Sequence, residues 1–355
     1  MFTIAQHVFQ LLFTKLRSRV TGVWSFITRL LHGDAPAAHV NKQDSPKTQS
    51  SSAEVQDSPQ ATPSPKYPQV IQYVHIPGEW QRKLYPHWPE SAFKVPDPVP
   101  EGPIYYITKG DFVRRGATAL VERLPTGHIS KTPLPNPYNP YEEQRDRQSM
   151  QHEYDVYCFI GPSPFIPTVI NWDSESKVLV LEDYANGDLE TYLRNHGDTD
   201  ADTRRKWALQ AAQALESLHN IGVIHQDITP RNFLLDKNLD LGICDFAGSS
   251  FPGHTASTGA PGPRYQSRAW GRGYIPSEAD DIFSLGSLLY FIMGGEEPYS
   301  QLDEEEVEVC FENLDFPASD HLGCGTVIQN CWDGRFTTAE QVVQGLVEAG
   351  ETNRV

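Results

Sequence analysis

The sequence predicts an α+β protein that is globular from about Pro103 onward, with strands gathered in its first part and helices in its second. Three observations carry that expectation. Strand-like runs gather in the first part, with ALVERL and GHISKT flanking a Pro-Thr-Gly turn and KVLVLEDY further on. Apolar residues at helical spacing dominate the second part, in WALQAAQALESLH, DIFSLGSLLYFIMGG, EEEVEVCFEN and AEQVVQGLVEA. The 355 residues, 39% of them hydrophobic, suffice to bury a core and leave extensions outside it.

Residues 1–33 precede that body. Phe9, Leu12, Leu16, Val20, Val23, Ile27 and Leu30 recur every three or four positions, the charges are Lys15, Arg17, Arg19 and Arg29, and no acid occurs before Asp34. This pattern predicts a basic amphipathic helix: a mitochondrial presequence, a membrane-surface helix over residues 1–32, or a helix docked on its own domain or a partner. Residues 34–68 are rich in Ser, Pro, Gln and Thr and nearly free of large apolar side chains, which predicts a disordered linker. Residues 69–102 mix aromatics with many prolines, which predicts an extended segment packed on the main domain without regular structure. Within the folded part, EEQRDRQSMQHEYDVYCFIG reads as a helix, and Gly222 ends the helix that runs from Trp207 to His219.

Bulk chemistry narrows the function. A net charge of −17 argues against a nucleic-acid binder, which needs a basic face. The five cysteines are odd in number and none has CxxC spacing, against a disulfide framework or zinc site and in favour of a reducing, cytoplasmic compartment. The N-terminal pattern keeps mitochondrial and membrane-peripheral locations as alternatives. No apolar run of about 18 residues indicates a transmembrane helix.

The stretch HQDITPRNFLLDKNLDLGICDF, His225 to Phe246, holds the chemistry. FLLD and LGICDF read as two short strands joined by a tight turn. Such a hairpin sets Asn232, before the first strand, opposite Asp245, after the second. An amide oxygen and a carboxylate held together suit Mg²⁺, a hard cation that keeps several waters. Asp227, on the preceding loop, can orient a hydroxyl and accept its proton. One base and two metal ligands are what phosphoryl transfer asks of a protein, because positioning and charge neutralisation dominate that reaction.

HxDxxxxN followed by DF resembles the catalytic loop and metal-binding segment of the protein kinase family. The resemblance covers about residues 103–350 and implies a bilobal kinase fold, with a small β-rich lobe over about residues 103–183 and a larger helical lobe over about residues 184–350, ATP and Mg²⁺ as cofactors, and a protein Ser/Thr hydroxyl as acceptor. It implies Lys131, in GHISKT, as the residue on the phosphates, with Glu153 as its partner; Glu142 and Glu143 lie on the same stretch as alternatives. Leu181 matches the position gating the cleft, Glu182 to Tyr184 the backbone facing adenine, and Asp188 the position near ribose. Asp281, in DIFSLGSLLY, matches the buried acid that braces the catalytic loop, and NCWDGRFTTAEQVV matches the closing helices. The wording of DFAGSS and DIFSLGSLLY is closest to kinase-like proteins of filamentous fungi.

The match has departures. Counting back from Val121, the glycine positions of GxGxxGxV hold Arg114, Gly116 and Ala119, so only the middle glycine remains. Gln226 replaces the arginine that answers an activating phosphate, Thr229 replaces a lysine near the transferred phosphate, and Ala247 replaces the glycine of DFG, disfavouring positive φ. If PRYQSRAW is the end of the activation segment, Arg268 and Ala269 stand where proline and glutamate are usual. These departures leave two alternatives to an active protein kinase: a catalytically silent scaffold of the same fold, and a small-molecule phosphotransferase.

Overall fold

A computed structural model describes residues 71–255, 260–271 and 273–352. The expected helix over 1–33 and linker over 34–68 lie outside the described residues.

The first element is β1 (Gln72–Ile76), followed by α1 (Glu79–Leu84) and, after an irregular stretch, β2 (Pro103–Ile107). β1 and β2 pair in parallel, from Gln72 opposite Pro103 to Ile76 opposite Ile107. Residues 69–102 therefore differ from the expected segment without regular structure. The prolines begin only at Pro77, so QYVHI keeps every N–H and can form a strand. The turn after it is tight: Gly78 donates to Thr108 Oγ1 at 3.2 Å, and a Cβ on Gly78 would lie 2.0 Å from the Thr108 carbonyl oxygen.

Next come β3 (Asp111–Arg115), β4 (Ala119–Arg123), β5 (Ile129–Pro133), α2 (Pro140–Ile160), β6 (Val169–Asp173) and β7 (Val178–Leu181). The strands form one antiparallel sheet in the order β3-β4-β5-β7-β6. The β4–β5 hairpin pairs Val121 with Lys131, and β5 pairs Lys131 with Leu179 of β7. α2 starts where Asn139 caps the Glu142 N–H and Pro140 supplies its fixed φ, and it stops at Gly161, whose φ of 69° is left-handed. Its buried face, Met150, Glu153, Val156 and Tyr157, lies against the sheet.

The second lobe contains α3 (Leu189–Asn195), α4 (Ala201–His219), the antiparallel hairpin β8 (Phe233–Leu235) and β9 (Leu241–Ile243), then α5 (Glu278–Gly294), α6 (Glu304–Glu312), α7 (Gly325–Trp332) and α8 (Ala339–Thr352). α5 is apolar on nearly every face, as expected of a helix surrounded by others, and its residues from Asp280 to Leu289 are all buried. Gly286 lets α7 approach closely, since a Cβ there would lie 2.8 Å from that of Cys331, and Trp332 Nε1 donates to Ser287 Oγ at 3.0 Å beside it. No described helix is long and apolar enough to cross a membrane.

Left-handed backbone falls on Gln226 (φ 72°) and Asp245 (φ 71°) and not on Ala247. The alanine in place of glycine is therefore unstrained here. The region of PRYQSRAW is anchored by Arg264, which donates to the carbonyls of Tyr299 (3.2 Å) and Leu302 (2.6 Å), while Arg268 stacks on Tyr274.

Candidate functional site

The cleft between the sheet and the helical lobe gathers the chemistry. β5 points Lys131 into it, and α2 brings up Glu153 at the phase set by its buried stripe. Lys131 Nζ donates to both Glu153 oxygens, at 2.6 and 2.7 Å, and to Asp245 Oδ1 at 2.9 Å. Glu142 and Glu143 are occupied elsewhere, on the Asn136 side chain and backbone N–H at the start of α2, so Glu153 is the lysine's partner. Burial disfavours the Lys131 charge, but Asp245 and Glu153 outweigh it and hold the ammonium above the ordinary lysine range. Lys131 in turn holds the Asp245 carboxyl below the ordinary aspartate range.

The β8–β9 hairpin read from the sequence is present. Phe233 pairs with Ile243, and Cys244 N–H donates to the Asn232 carbonyl at 2.9 Å, which sets Asp245 next to Asn232 across the strand ends. The turn closes on Asp236, whose Oδ1 accepts the N–H groups of Asn238 and Asp240. Asn232 Nδ2 donates to the Asp227 carbonyl (2.9 Å) and to Asp227 Oδ2 (2.7 Å), which leaves the amide oxygen as the end that can face a cation. Burial pushes the Asp227 carboxyl above the ordinary aspartate value.

The catalytic-loop backbone hangs from α5. Asp281, 1% exposed, accepts the N–H groups of His225 and Gln226 at 2.7 Å each and His219 Nε2 at 3.1 Å. His225 bonds the Cys244 carbonyl through Nε2 (3.0 Å) and packs edge-on against Phe246, whose other side meets Tyr157. It is a packed structural histidine. Cys244 is buried, with its thiol pushed up to about 12 by burial.

Val121, Lys131, Glu153, Leu181, Glu182, Tyr184, Asp188 and Asp245 line one cavity of the cleft; Gly116, Val121, Lys131, Asp227 and Asp245 line its neighbour. Val121, Lys131 and Asp245 belong to both, so the cavities join. Of the residues expected to touch nucleotide, metal or acceptor, only Asn232 lines neither; its side chain is bonded to Asp227. Four positions do more, or less, than the resemblance implied. The Glu182 N–H and Tyr184 carbonyl are engaged by Thr168 and Gly187, both at 2.9 Å. The Asp188 carboxylate caps α3 by accepting from Thr191 N–H and Oγ1. Gly116 meets nothing closer than the Ala119 carbonyl at 3.6 Å, so its missing Cβ is not demanded by packing.

Sequence reasoning missed two cations. Arg123 forks onto Asp183 (3.0 and 3.2 Å) and ties the segment after β7 to β4. Arg114, noted only as a lost glycine, reaches to 4.0 Å from Asp245 Oδ2. The first was signalled by opposite charges at two strand ends, which pair too often by chance to be read in advance; the second had no local signal.

The protein kinase domain family matches residues 139–354. Serine/threonine-protein kinase PKH1 of Saccharomyces cerevisiae is 28% identical over 148 residues, covering 37% of this chain and 19% of that protein. Serine/threonine-protein kinase PDK1 of Cryptococcus neoformans var. grubii is 31% identical over 136 residues, covering 36% and 11%. Sucrose non-fermenting protein kinase 1 of Fusarium virguliforme is 32% identical over 151 residues, covering 41% and 21%. The matches span about a fifth or less of each relative.

Proposed function

The chain belongs to the protein kinase domain family, and from that premise we propose that it is an ATP-dependent kinase transferring the γ-phosphate to a Ser or Thr hydroxyl of a protein. The observation that carries the reading is the shared ammonium of Lys131, bonded at once to Glu153 and Asp245 in a cleft that also holds Asp227.

The donor set fits a magnesium ion. Asp245 offers a carboxylate and Asn232 an amide oxygen, both hard oxygen ligands. Such an ion supplies charge neutralisation on phosphate oxygens. Lys131 contributes a second positive charge, which Glu153 keeps aimed into the cleft. Glu182 and Tyr184 offer the carbonyl and N–H that remain for a base. Asp227, its second oxygen steadied by Asn232, orients the acceptor hydroxyl and takes its proton.

The test is radiolabelled phosphate transfer by purified protein, wild type against Asp227→Asn. The variant is expected to lose about a hundredfold or more in kcat, the usual share of a positioned base. Equal incorporation by both proteins would mean a contaminating kinase and would end the reading. A second reading, a silent scaffold, draws on Thr229 in place of lysine and on Arg114 beside Asp245. Absence of thermal stabilisation at millimolar Mg-ATP would favour it, because a ligand that binds the native state must stabilise it. The small-molecule phosphotransferase loses ground, since the family match runs through the last helices.

A further inference from the structure

Arg114 is placed by an irregularity in the sheet. β3 and β4 pair Phe112 with Glu122 and Arg114 with Val121, so Val113 is an extra residue, a β-bulge that re-aims the side chain after it. The next residue, Arg115, stacks on Tyr73 at 5.1 Å, outside the cleft. Arg114 instead lines both cavities of the cleft and approaches Asp245 to 4.0 Å. At the end of the cleft that holds Asp227, the charged lining residues are two cations, Arg114 and Lys131, and two acids, Asp227 and Asp245. Lys131 is committed at short range to Glu153 and Asp245. Arg114 is about one-third exposed and at the outer limit of an ion pair, so it can change partner at little cost.

A triphosphate entering this end without a metal meets the repulsion of Asp245. A guanidinium beside that carboxylate offsets its charge, and the planar fork matches phosphate oxygens better than an ammonium does. We propose that Arg114 is a phosphate-binding residue that takes over part of the divalent ion's task, so that this chain binds nucleoside triphosphate without a metal. The proposal rests on the ATP reading above and adds a residue to it. Arg114 fills a position where close backbone approach is given up and a side-chain contact is gained.

The experiment is calorimetric titration of the full chain with ATP, once in EDTA and once in MgCl₂, for wild type, Arg114→Gly, Arg114→Lys and Arg115→Gln. Wild type is expected to bind in EDTA within about threefold of its affinity in MgCl₂. Arg114→Gly should lose about tenfold or more in EDTA, the worth of one charge-assisted hydrogen bond, and much less in MgCl₂. Arg114→Lys should fall between, and Arg115→Gln should match wild type. The melting temperature of each variant without nucleotide shows whether it is folded. Arg114→Gly binding in EDTA as tightly as wild type overturns the proposal, and so does a wild type that binds only with Mg²⁺. A wild type that binds ATP in neither buffer overturns the ATP reading together with it.

Discussion

Asp281→Asn isolates the support of the catalytic loop without touching the loop's own side chains. The change keeps size and shape and removes one charge. In the native protein the two carboxylate oxygens accept the N–H groups of His225 and Gln226, both at 2.7 Å, in a site from which water is excluded. An asparagine has one oxygen to offer, so one of those N–H groups faces an NH₂ whichever way the amide is turned. Leaving a buried donor unpaired costs about 1–3 kcal/mol, and the surviving bond falls from charge-assisted to neutral, for about another 1 kcal/mol. The sum is about 3 kcal/mol. At roughly 2–4 °C per kcal/mol for a large domain, the melting temperature should drop by at least about 6 °C. Urea unfolding monitored by tryptophan fluorescence, with thermal melts beside it, reads both quantities. Gln226 is held at φ 72° next to Asp227, so kcat should fall as well, even in protein that is fully folded at the assay temperature. A variant within about 0.5 kcal/mol of wild type would refute the reasoning, because it would mean that the loop does not depend on these two bonds.

Gly242→Ala should destabilise by about 1–3 kcal/mol and weaken ATP binding, as the new Cβ would lie 2.6–2.9 Å from the Tyr184 ring and hydroxyl and force that side chain to move; chemical denaturation and nucleotide titration measure the two effects, and unchanged values would show the ring to be loosely held. Glu153→Gln should lower ATP affinity more than it lowers the melting temperature, because Lys131 keeps Asp245 at 2.9 Å but loses the carboxylate that aims it; an affinity equal to wild type would remove Glu153 from the site. Alkylation of the native protein near pH 8 should modify exposed Cys158 first and leave Cys244 and Cys324 untouched, since both are buried with thiols pushed up to about 12 and thiolate falls tenfold per pH unit below the pKa; raising the pH should restore reactivity only where a denaturant does too, and equal labelling rates read by mass spectrometry would contradict the burial of these residues.

The proposed set Asp227, Asn232 and Asp245 could be read from the chain because their relation is local. Two three-residue strands and a tight turn fix the separation of everything between Asp227 and Asp245 within a few ångströms, so spacing in sequence becomes spacing in the cleft. The apolar run of α5 likewise announced a buried helix, while Asp281 on it was assigned as the brace only by resemblance to the kinase family. The strand in residues 69–102 went unread, because the prolines that flank QYVHI dominate the composition while leaving its own N–H groups intact. Choosing Glu153 over Glu142 and Glu143 required the packing of α2 on the sheet, since all three lie on one helix and which turn of it comes opposite Lys131 is set by that packing; Glu142 and Glu143 sit in the first turn, about three turns from Glu153. The aim of Arg114 required the bulge at Val113. A one-residue irregularity in strand pairing turns every later side chain to the other face, and nothing in the residues themselves marks where the partner strand will slip. The relation of neighbours along the chain was thus determined by sequence, and the meeting of residues across the cleft was decided by which turn of a helix packs on the sheet and by strand register.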